Sequence, residues 1–391
     1  MKYRVTFYCP DRHVEYDAGR TPDQKGVGGG VTARIRLAQA LARNGHNVSM
    51  ICNCVREEVH LGVHYLPLDQ VKEIDTDLLL LSTSGDPLSL EPLLQLKVLA
   101  KLKILLIYGI PKPKGTEKIG LDYYYPPSNF IRQVMLSEWM GVPQDRIFVT
   151  YFGVVKKNFE RSESEAMHSP RDPFRLAYVG HPSKGRDAAI GTLKILRKTD
   201  SRFHLYTFGD ERLWGGKAKR IRFLPGVRDF GMINQLELAQ KLLTCTYGMF
   251  LQERLEPYAN TTLEALSAGI IPIASPVGGF PEQIIEGWNG FLIPGPHNDP
   301  ATWENTARLI LELSLDPERL KTLSANARNS TYEWDIVAKS WEEHWDRVLH
   351  PDAGKTSRRI QACPNCSYEV PELADGFHCP QCGFFSRSVK A

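Results

Sequence analysis

The sequence predicts an α/β protein built from two doubly wound parallel-sheet halves and a small C-terminal module. Three observations predict this. Short β-rich runs alternate with helical patterns through most of the 391 residues. The alternation stops once, at a charged and polar stretch over 162–172, and then restarts. A basic tether near the end leads into two closely spaced cysteine pairs. Strands alternating with helices imply a parallel sheet covered on both faces. A chain of this length suits two domains of roughly 150–200 residues each.

In the first half, residues 4–9 read as a strand. Residues 31–44 carry Ile35, Leu37, Ala38, Leu41 and Ala42 at helical spacing and stop at Gly45, the pattern of a helix ended by glycine. Strands follow at 47–52, 63–68, 77–82 and 103–109, with a helix around 89–100. A strand at 123–128 leads into a helix at 129–140 with Asn129 as its N-cap, and 146–151 is the last strand before the polar break. Residues 162–172 read as an interdomain linker. In the second half, strands are expected at 175–179, 203–208, 220–223, 247–251, 271–274 and 290–293. Helices are expected between them at 187–198, 234–244, 261–268 and 280–286, and then at 300–313, 317–330 and 334–349. The units are therefore 1–160, 173–333, a final helix at 334–350, a tether at 351–360 and a module at 361–387. Ligands of doubly wound sheets sit beyond the carboxyl ends of the strands, so the cleft between two such domains is the default site.

Composition excludes several classes. Hydrophobic residues make up 42%, charged residues 24%, and the net charge is +3, which is ordinary for a globular protein and gives no argument for nucleic acid. No run of about 18 apolar residues offers a membrane span. Asp11 and Arg12 interrupt the N-terminal stretch where a secretory leader needs a longer apolar run. Of eight cysteines, four crowd the last thirty residues. The others, Cys9, Cys52, Cys54 and Cys245, sit in or beside apolar runs as small buried hydrophobes. That usage is unlike a disulfide-stapled fold, and a cytoplasmic protein is expected.

The segment with the most chemistry is Glu253 to Glu282, ERLEPYANTTLEALSAGIIPIASPVGGFPE. It follows a strand, turns through Pro257 and opens a helix near Thr261. Glu256 and Glu264 have seven residues between them, one in the loop and one in the first helical turn. Free N–H groups and the helix dipole make such a terminus an anion site. A diphosphate resting there would leave the two acids to accept hydrogen bonds from sugar hydroxyls, because a carboxylate is an acceptor only. The plainer readings are that Glu264 closes a capping box with Thr261 and that Glu256 is a solvated loop charge.

Two glycine-bearing segments accompany it. Tyr178-Val179-Gly180-His181-Pro182-Ser183-Lys184-Gly185 lies at the carboxyl end of a strand, where Lys184 is either a diphosphate counter-charge or an exposed turn lysine. Gly26-Val27-Gly28-Gly29-Gly30-Val31 precedes the first long helix, and its glycines let backbone approach a ligand closely. A dinucleotide fingerprint is disfavoured there: the loop is far from the first strand, and no acid ends the second strand. His46, at the next turn, reads as a structural residue.

The string as a whole resembles the E-x7-E signature of retaining GT-B glycosyltransferases of family 4. The pieces that carry the resemblance are Glu256-Pro257-Tyr258-Ala259, Leu263-Glu264-Ala265-Leu266, Ala268-Gly269-Ile270-Ile271-Pro272, Val277-Gly278-Gly279, Pro281-Glu282 and Gly287-Trp288-Asn289-Gly290-Phe291. The likeness extends to about Leu349, whose tryptophan-bearing helix resembles the one that returns to the first domain in that family. It implies two facing Rossmann-like domains, the first for the acceptor and the second for a nucleoside-diphosphate sugar. It implies Glu256 on the donor sugar, Glu264 on the ribose and Lys184 on the diphosphate. His181 or Arg186 would stand where the family has a second cation, and Gly29, Gly30, Tyr258, Ala259, Asn260 and Thr261 would line the donor site. No catalytic metal is implied.

The first half departs from the pattern. Where relatives carry histidines, this chain has Ser82-Thr83-Ser84-Gly85-Asp86 and Tyr108-Gly109, so Ser84, Asp86 and Tyr108 are the candidates there. The acceptor is an unidentified hydroxyl of a glycan, lipid or small molecule. Lys97–Lys118, with lysines among Leu and Ile, reads either as a peripheral membrane contact or as a buried strand flanked by solvated charges. Two alternatives to a transferase stay open: a nucleotide-sugar epimerase, and a non-catalytic nucleotide-sugar or partner-docking protein.

In the C-terminal module, Cys363, Cys366, Cys379 and Cys382 form two C-x2-C pairs with twelve residues between them. Two such turns suit one tetrahedral, structural Zn2+, because so small a module lacks a sufficient apolar core. The module resembles a zinc ribbon, which implies a protein or nucleic-acid partner.

Overall fold

The structure is a computed structural model and describes residues 2–84, 88–219 and 223–351, together with short strands within 360–386. The first domain contains β1 (Arg4–Tyr8), α1 (Thr21–Gln24), α2 (Gly29–Arg43), β2 (Asn47–Cys52), β3 (Glu58–His60), β4 (Val63–Pro67), β5 (Glu73–Leu81), β6 (Lys97–Leu106), α3 (Thr116–Ile119), β7 (Tyr123–Tyr125) and α4 (Asn129–Glu138). Its sheet runs β3-β4-β2-β1-β5-β6-β7, parallel except for β3, which pairs antiparallel with β4.

A short helix, α5 (Glu163–His168), lies in the stretch expected to be a linker. The second domain follows with β8 (Arg175–Val179), α6 (Arg186–Thr199), β9 (His204–Phe208), β10 (Val227–Gly231), α7 (Gln235–Leu242), β11 (Tyr247–Phe250), α8 (Asn260–Ser267), β12 (Ile271–Ala274), α9 (Phe280–Gln283) and β13 (Phe291–Leu292). Its sheet order is β10-β9-β8-β11-β12-β13, all parallel. The helices α10 (Pro300–Ser314), α11 (Pro317–Asn329) and α12 (Trp334–Leu349) complete the chain up to the tether.

The topology fixes where ligands can bind. β1 lies between β2 and β5, and β8 lies between β9 and β11. At both places the strand order reverses, which opens a crevice at the carboxyl ends. The chain leaving β1 and β5 supplies the glycines before α2 and the Ser82–Ser84 turn. The chain leaving β8 and β11 supplies 180–185 and 251–260.

The last helix belongs to the first domain's core. Trp334, Val337, Ala338, Trp341 and Trp345 of α12 pack with Ile35, Leu37 and Tyr125. Trp341 donates through Nε1 to Thr150 Oγ1, and Tyr3 donates through its hydroxyl to Asp346. Buried His46 stacks on Tyr3 with centroids 5.7 Å apart and accepts from the Tyr3 N–H at 3.1 Å. It is thus a structural residue.

Several expectations are corrected. The helix around 89–100 is a short 3-10 turn, Glu91–Gln95, followed by β6. In Lys97–Leu106 exposed and less exposed residues alternate with the two-residue period of a strand, and the leucine spacing hid it. Lys97 and Lys101 pair with Glu73 and Asp77 of β5, and the strand is exposed at its start and buried from Leu102 onward apart from Lys103. The strand at 146–151 is an extended edge run with one bridge, Tyr124 to Ile147. Residues 220–222 of the strand expected at 220–223 lie outside the described residues, and the edge strand is β10, further along. Ser128, not Asn129, caps α4, accepting from the Ile131 N–H at 3.2 Å. The free thiols of Cys9, Cys52, Cys54 and Cys245 are buried, as their apolar surroundings implied. Among the described residues no helix is long and apolar enough to cross a membrane.

Candidate functional site

Two helix N-termini from opposite domains line one cleft with a volume of about 170 Å³. From the first domain, α2 begins at Gly29 with Gly28 as N-cap. Gly29 and Gly30 are therefore its first turn, not a loop before it. From the second domain, α8 begins at Asn260 with Ala259 as N-cap. The first N–H groups of a helix have no acceptor within it, so each end offers donors and positive potential to an anion. The ends also touch. Asn260 Nδ2 donates to the Gly29 carbonyl at 2.7 Å, and a Cβ on Gly29 would sit 2.9 Å from that nitrogen. A side chain at this position would displace the Asn260 amide from that contact.

The acids divide into two environments. Glu256 is 9% exposed and forms an ion pair with Lys184. Gln252 Nε2 donates to its Oε1 at 3.3 Å, and Gly278 packs against the Glu256 backbone, and Gly279 against the Pro257 carbonyl, so closely that no side chain fits at either. It is a buried, paired carboxylate and not a solvated loop charge. Glu264 lines the cleft and accepts from Gln235 Nε2 at 3.0 Å. It does not close a capping box, because α8 starts before Thr261 and no side chain caps it. Burial pushes the Glu264 carboxyl up to about 7, against the Gln235 hydrogen bond and the charge of Arg36.

Lys184 also lines the cleft. Its turn is closed by the Lys184 N–H to the His181 carbonyl at 2.8 Å, and Gly185 follows at φ 88°. A Cβ at Gly185 would fall 1.7 Å from the Leu251 carbonyl oxygen, so only glycine brings this turn against β11. The Lys184 ammonium lies 5.7 Å from the ring centre of Trp214. His181 stacks on the same ring at 3.7 Å, with planes 13° apart, and Arg254 lies 4.4 Å from the ring centre. Burial, together with the neighbouring charges of Lys184, Arg254 and Arg186, holds His181 below its usual range despite Glu211. His181 is thus placed as a stacking partner of Trp214 at the cleft.

Other predicted residues are placed elsewhere. Arg186 opens α6 outside the cleft lining, with a buried Nη1 that has no hydrogen-bond partner among the described residues. Tyr258 packs on Tyr151 and Phe152 at the domain boundary, with centroids 5.4 and 5.7 Å apart. The Ala259 N–H and carbonyl are both taken by Gln283, at 3.1 and 2.9 Å. Asn260 and Thr261 do line the cleft. Sequence reasoning missed Trp214, Arg254, Gln235 and the apolar wall of Phe208, Leu213, Met232, Ile233 and Leu238. A tryptophan directly before Gly215 and Gly216 was a usable sequence signal for a binding loop.

On the first-domain side, Arg34 is fully buried in an ion pair with buried Asp11. It donates to Tyr16 and Ser84 hydroxyls at 2.6 Å and to the Gly30 carbonyl at 3.1 Å. Its guanidinium is 5.4 Å from the Tyr108 ring centre. Ser84 and Tyr108 are therefore part of one closed network around Arg34, while Asp86 lies outside the described residues. The cysteines Cys363, Cys366, Cys379 and Cys382 also lie outside them.

This architecture, two facing doubly wound domains with a ligand cleft between helix N-termini, is the GT-B fold. Residues 163–330 match the family described as Glycosyl transferases group 1. Curated relatives include a glycogen synthase of Mycobacterium tuberculosis (strain ATCC 25618 / H37Rv), 29% identical over 179 residues, which are 44% of this chain and 42% of that protein. A D-inositol 3-phosphate glycosyltransferase of Streptomyces bingchenggensis is 32% identical over 149 residues, 38% of this chain and 29% of that protein. The matched region thus spans less than half of either relative. Among solved structures, a glycosyltransferase from Rickettsia africae ESF-5 superposes with a TM-score of 0.65 at 16% identity, covering 91% of this chain and all of that one (100%). Anabaena HepE in complex with UDP-glucose gives 0.60 at 14% identity, covering 88% of this chain and 99% of that one. At these identities the likeness is one of fold.

Proposed function

We propose that this chain is a glycosyltransferase that moves a sugar from a nucleoside-diphosphate donor to a hydroxyl acceptor, with retention at the anomeric carbon. The observation that carries the reading is the pairing of Lys184 with Glu256 beside a cleft lined by two helix N-termini and Glu264. Helix amides and Lys184 suit the charge that develops on a leaving diphosphate, and preorganised donors in a partly closed site are an effective way to stabilise it. Glu256, held by Lys184 and Gln252, is the acceptor for sugar hydroxyls, and Glu264 is the acceptor for the ribose. The family match of 163–330 and the UDP-glucose complex of a protein of the same fold support a nucleotide-sugar donor.

The closed Asp11–Arg34 network favours a second reading, a nucleotide-sugar-binding protein without transfer activity, because it already engages the Asp11 carboxylate and the Ser84 hydroxyl. A panel of UDP-, GDP- and ADP-sugars decides between them. Binding seen as a raised thermal midpoint, with transfer or slow donor hydrolysis lost in Glu256→Gln, supports the transferase. Binding with no turnover on a broad acceptor panel supports the second reading, and conversion of the sugar without acceptor supports an epimerase. No binding at all overturns the donor site.

The two C-x2-C pairs are proposed to hold a structural Zn2+. The strands that bracket each pair in sequence are antiparallel partners, Ile360–Ala362 with Glu369–Pro371 and Phe377–His378 with Phe385–Ser386. Two C-x2-C pairs supply four thiolates, the donor set that fits a closed tetrahedral site. We assign the protein to the cytoplasm, where free buried thiols persist, and the small module to contact with a protein or nucleic-acid partner.

A further inference from the structure

One hydrogen-bonded chain crosses the cleft from the first domain to Glu264. Arg36, on α2, is 7% exposed. Its Nη1 donates to Asp23 Oδ2 and Gln39 Oε1, each at 3.1 Å, and its Nη2 donates to Asp23 Oδ1. The same guanidinium reaches the second domain, donating to Gln235 Oε1 from Nη2 at 2.8 Å and from Nε at 3.1 Å. Gln235 is the first residue of α7 and donates through Nε2 to Glu264 Oε1 at 3.0 Å.

The chemistry gives this chain a direction. Guanidinium is donor-only and carboxylate is acceptor-only, whereas a glutamine amide is both. With Arg36 on one side, the amide oxygen must face it. The NH2 group is then the part presented to Glu264. Without Arg36, the amide is free to turn and set its oxygen against the carboxylate. Arg36 itself is held by Asp23 and Gln39, so it does not follow the second domain. The orientation of Gln235 therefore depends on the two domains being together.

We propose that Gln235 and Arg36 are positioning residues that make domain closure and donor binding favour one another, by holding the Glu264 carboxylate ready for ribose hydroxyls only when the cleft is closed. The proposal rests on the donor reading of Glu264 given above. Closure brings Arg36 to the amide, the amide orients the acid and offsets part of the burial that favours its protonated form, and the ionised acid accepts from the ligand. Linkage makes the effect reciprocal, so bound donor favours closure equally. Among the described residues, Arg36 on α2 is the charged side chain that bears on Glu264, since α7 contributes the neutral Gln235 and α8 adds no charge.

The test uses the full chain with Gln235→Leu, Arg36→Leu and their double variant, and Glu264→Gln as reference. Affinities for UDP-glucose, GDP-mannose and ADP-glucose are measured by calorimetry between pH 5.5 and 8.5, and small-angle scattering follows compaction. Each single variant should weaken the bound probe about tenfold, and the double variant should lose about the same rather than the product, because both act on one amide. The pH at which affinity rises should move upward in each variant, and probe-induced compaction should be lost in Arg36→Leu. Unchanged affinity, multiplying losses or an unmoved pH midpoint overturns the relay. If the wild-type chain binds no probe, the donor reading fails instead. The relay is then read without ligand, in the pH window over which the thermal midpoint falls. That window should move upward in Gln235→Leu and Arg36→Leu and vanish in Glu264→Gln; an identical window in all four overturns the relay.

Discussion

Glu282 caps a helix in the other domain: its two carboxylate oxygens accept from the Asn129 N–H at 2.8 Å and the Phe130 N–H at 2.7 Å. Glu282 belongs to α9 of the second domain, and Asn129 and Phe130 are the first residues of α4 in the first. The Ser128 hydroxyl, which caps the same helix, also donates to the Pro257 carbonyl at 2.6 Å. An acid at a helix N-terminus satisfies orphan donors and the dipole together. Here those donors lie across the domain boundary, so one carboxylate serves both helix ending and interdomain contact.

Removing that carboxylate should loosen the boundary before it unfolds either domain. Glu282→Ala loses two charge-assisted hydrogen bonds and is expected to cost about 2–3 kcal/mol. Urea unfolding should show an earlier loss of α4, and scattering should show a larger radius of gyration. Glu282→Gln, which keeps one acceptor oxygen, should lie between wild type and alanine.

Glu264 gives stability a pH dependence of definite sign. Its carboxyl is raised from 4.5 to about 7 by burial, so between these values the folded chain holds a proton that the unfolded chain releases. The favourable contribution is full below pH 4.5 and is lost as pH rises through 7. Thermal melts of wild type and Glu264→Gln from pH 4.5 to 8.5 should therefore diverge upward, with glutamine increasingly the more stable. Parallel curves would remove the assignment.

Lys184 faces two tasks that substitution separates. Lys184→Met leaves Glu256 buried and unpaired, which lowers stability because an uncompensated buried charge is costly. It also removes a cation that lines the cleft. Steady-state assays with a turned-over donor should show kcat falling roughly 100-fold while the change in donor KM is smaller. A rise in KM alone would show that Lys184 contributes uniform binding and not stabilisation of the leaving group.

How much of this was legible before the structure follows from the kinds of signal involved. The strands at 47–52, 175–179 and 271–274 were readable to the residue because short apolar runs are bounded by polar turns. β6 was not, since a lysine–leucine alternation also satisfies part of a helical pattern. Glu256, Glu264 and Lys184 were legible as a motif, and the structure brings Lys184 against Glu256. Gln235 and Arg36 were not, because nothing local relates residues about 200 positions apart, as these two are. Ala259 and Tyr258 sit in the motif for packing reasons: one is tied by Gln283, the other by aromatic neighbours. The first-domain face was least legible, because Asp11, Arg34 and Ser84 meet only once β1, α2 and β5 are assembled.

The cysteine pairs lead to a prediction that is independent of the cleft. If one Zn2+ is held by Cys363, Cys366, Cys379 and Cys382, purified chain should carry close to one equivalent of zinc per molecule by elemental analysis. Cys379→Ser should lose it, because three thiolates no longer close a tetrahedral structural site. The paired strands around each C-x2-C are too short to persist alone, so the module should become protease-sensitive when a chelator removes the metal. The two-domain body has its own extensive cores, so its thermal transition and nucleotide-sugar binding should not change in Cys379→Ser. A shifted main transition would instead place the module against the domains as part of their fold.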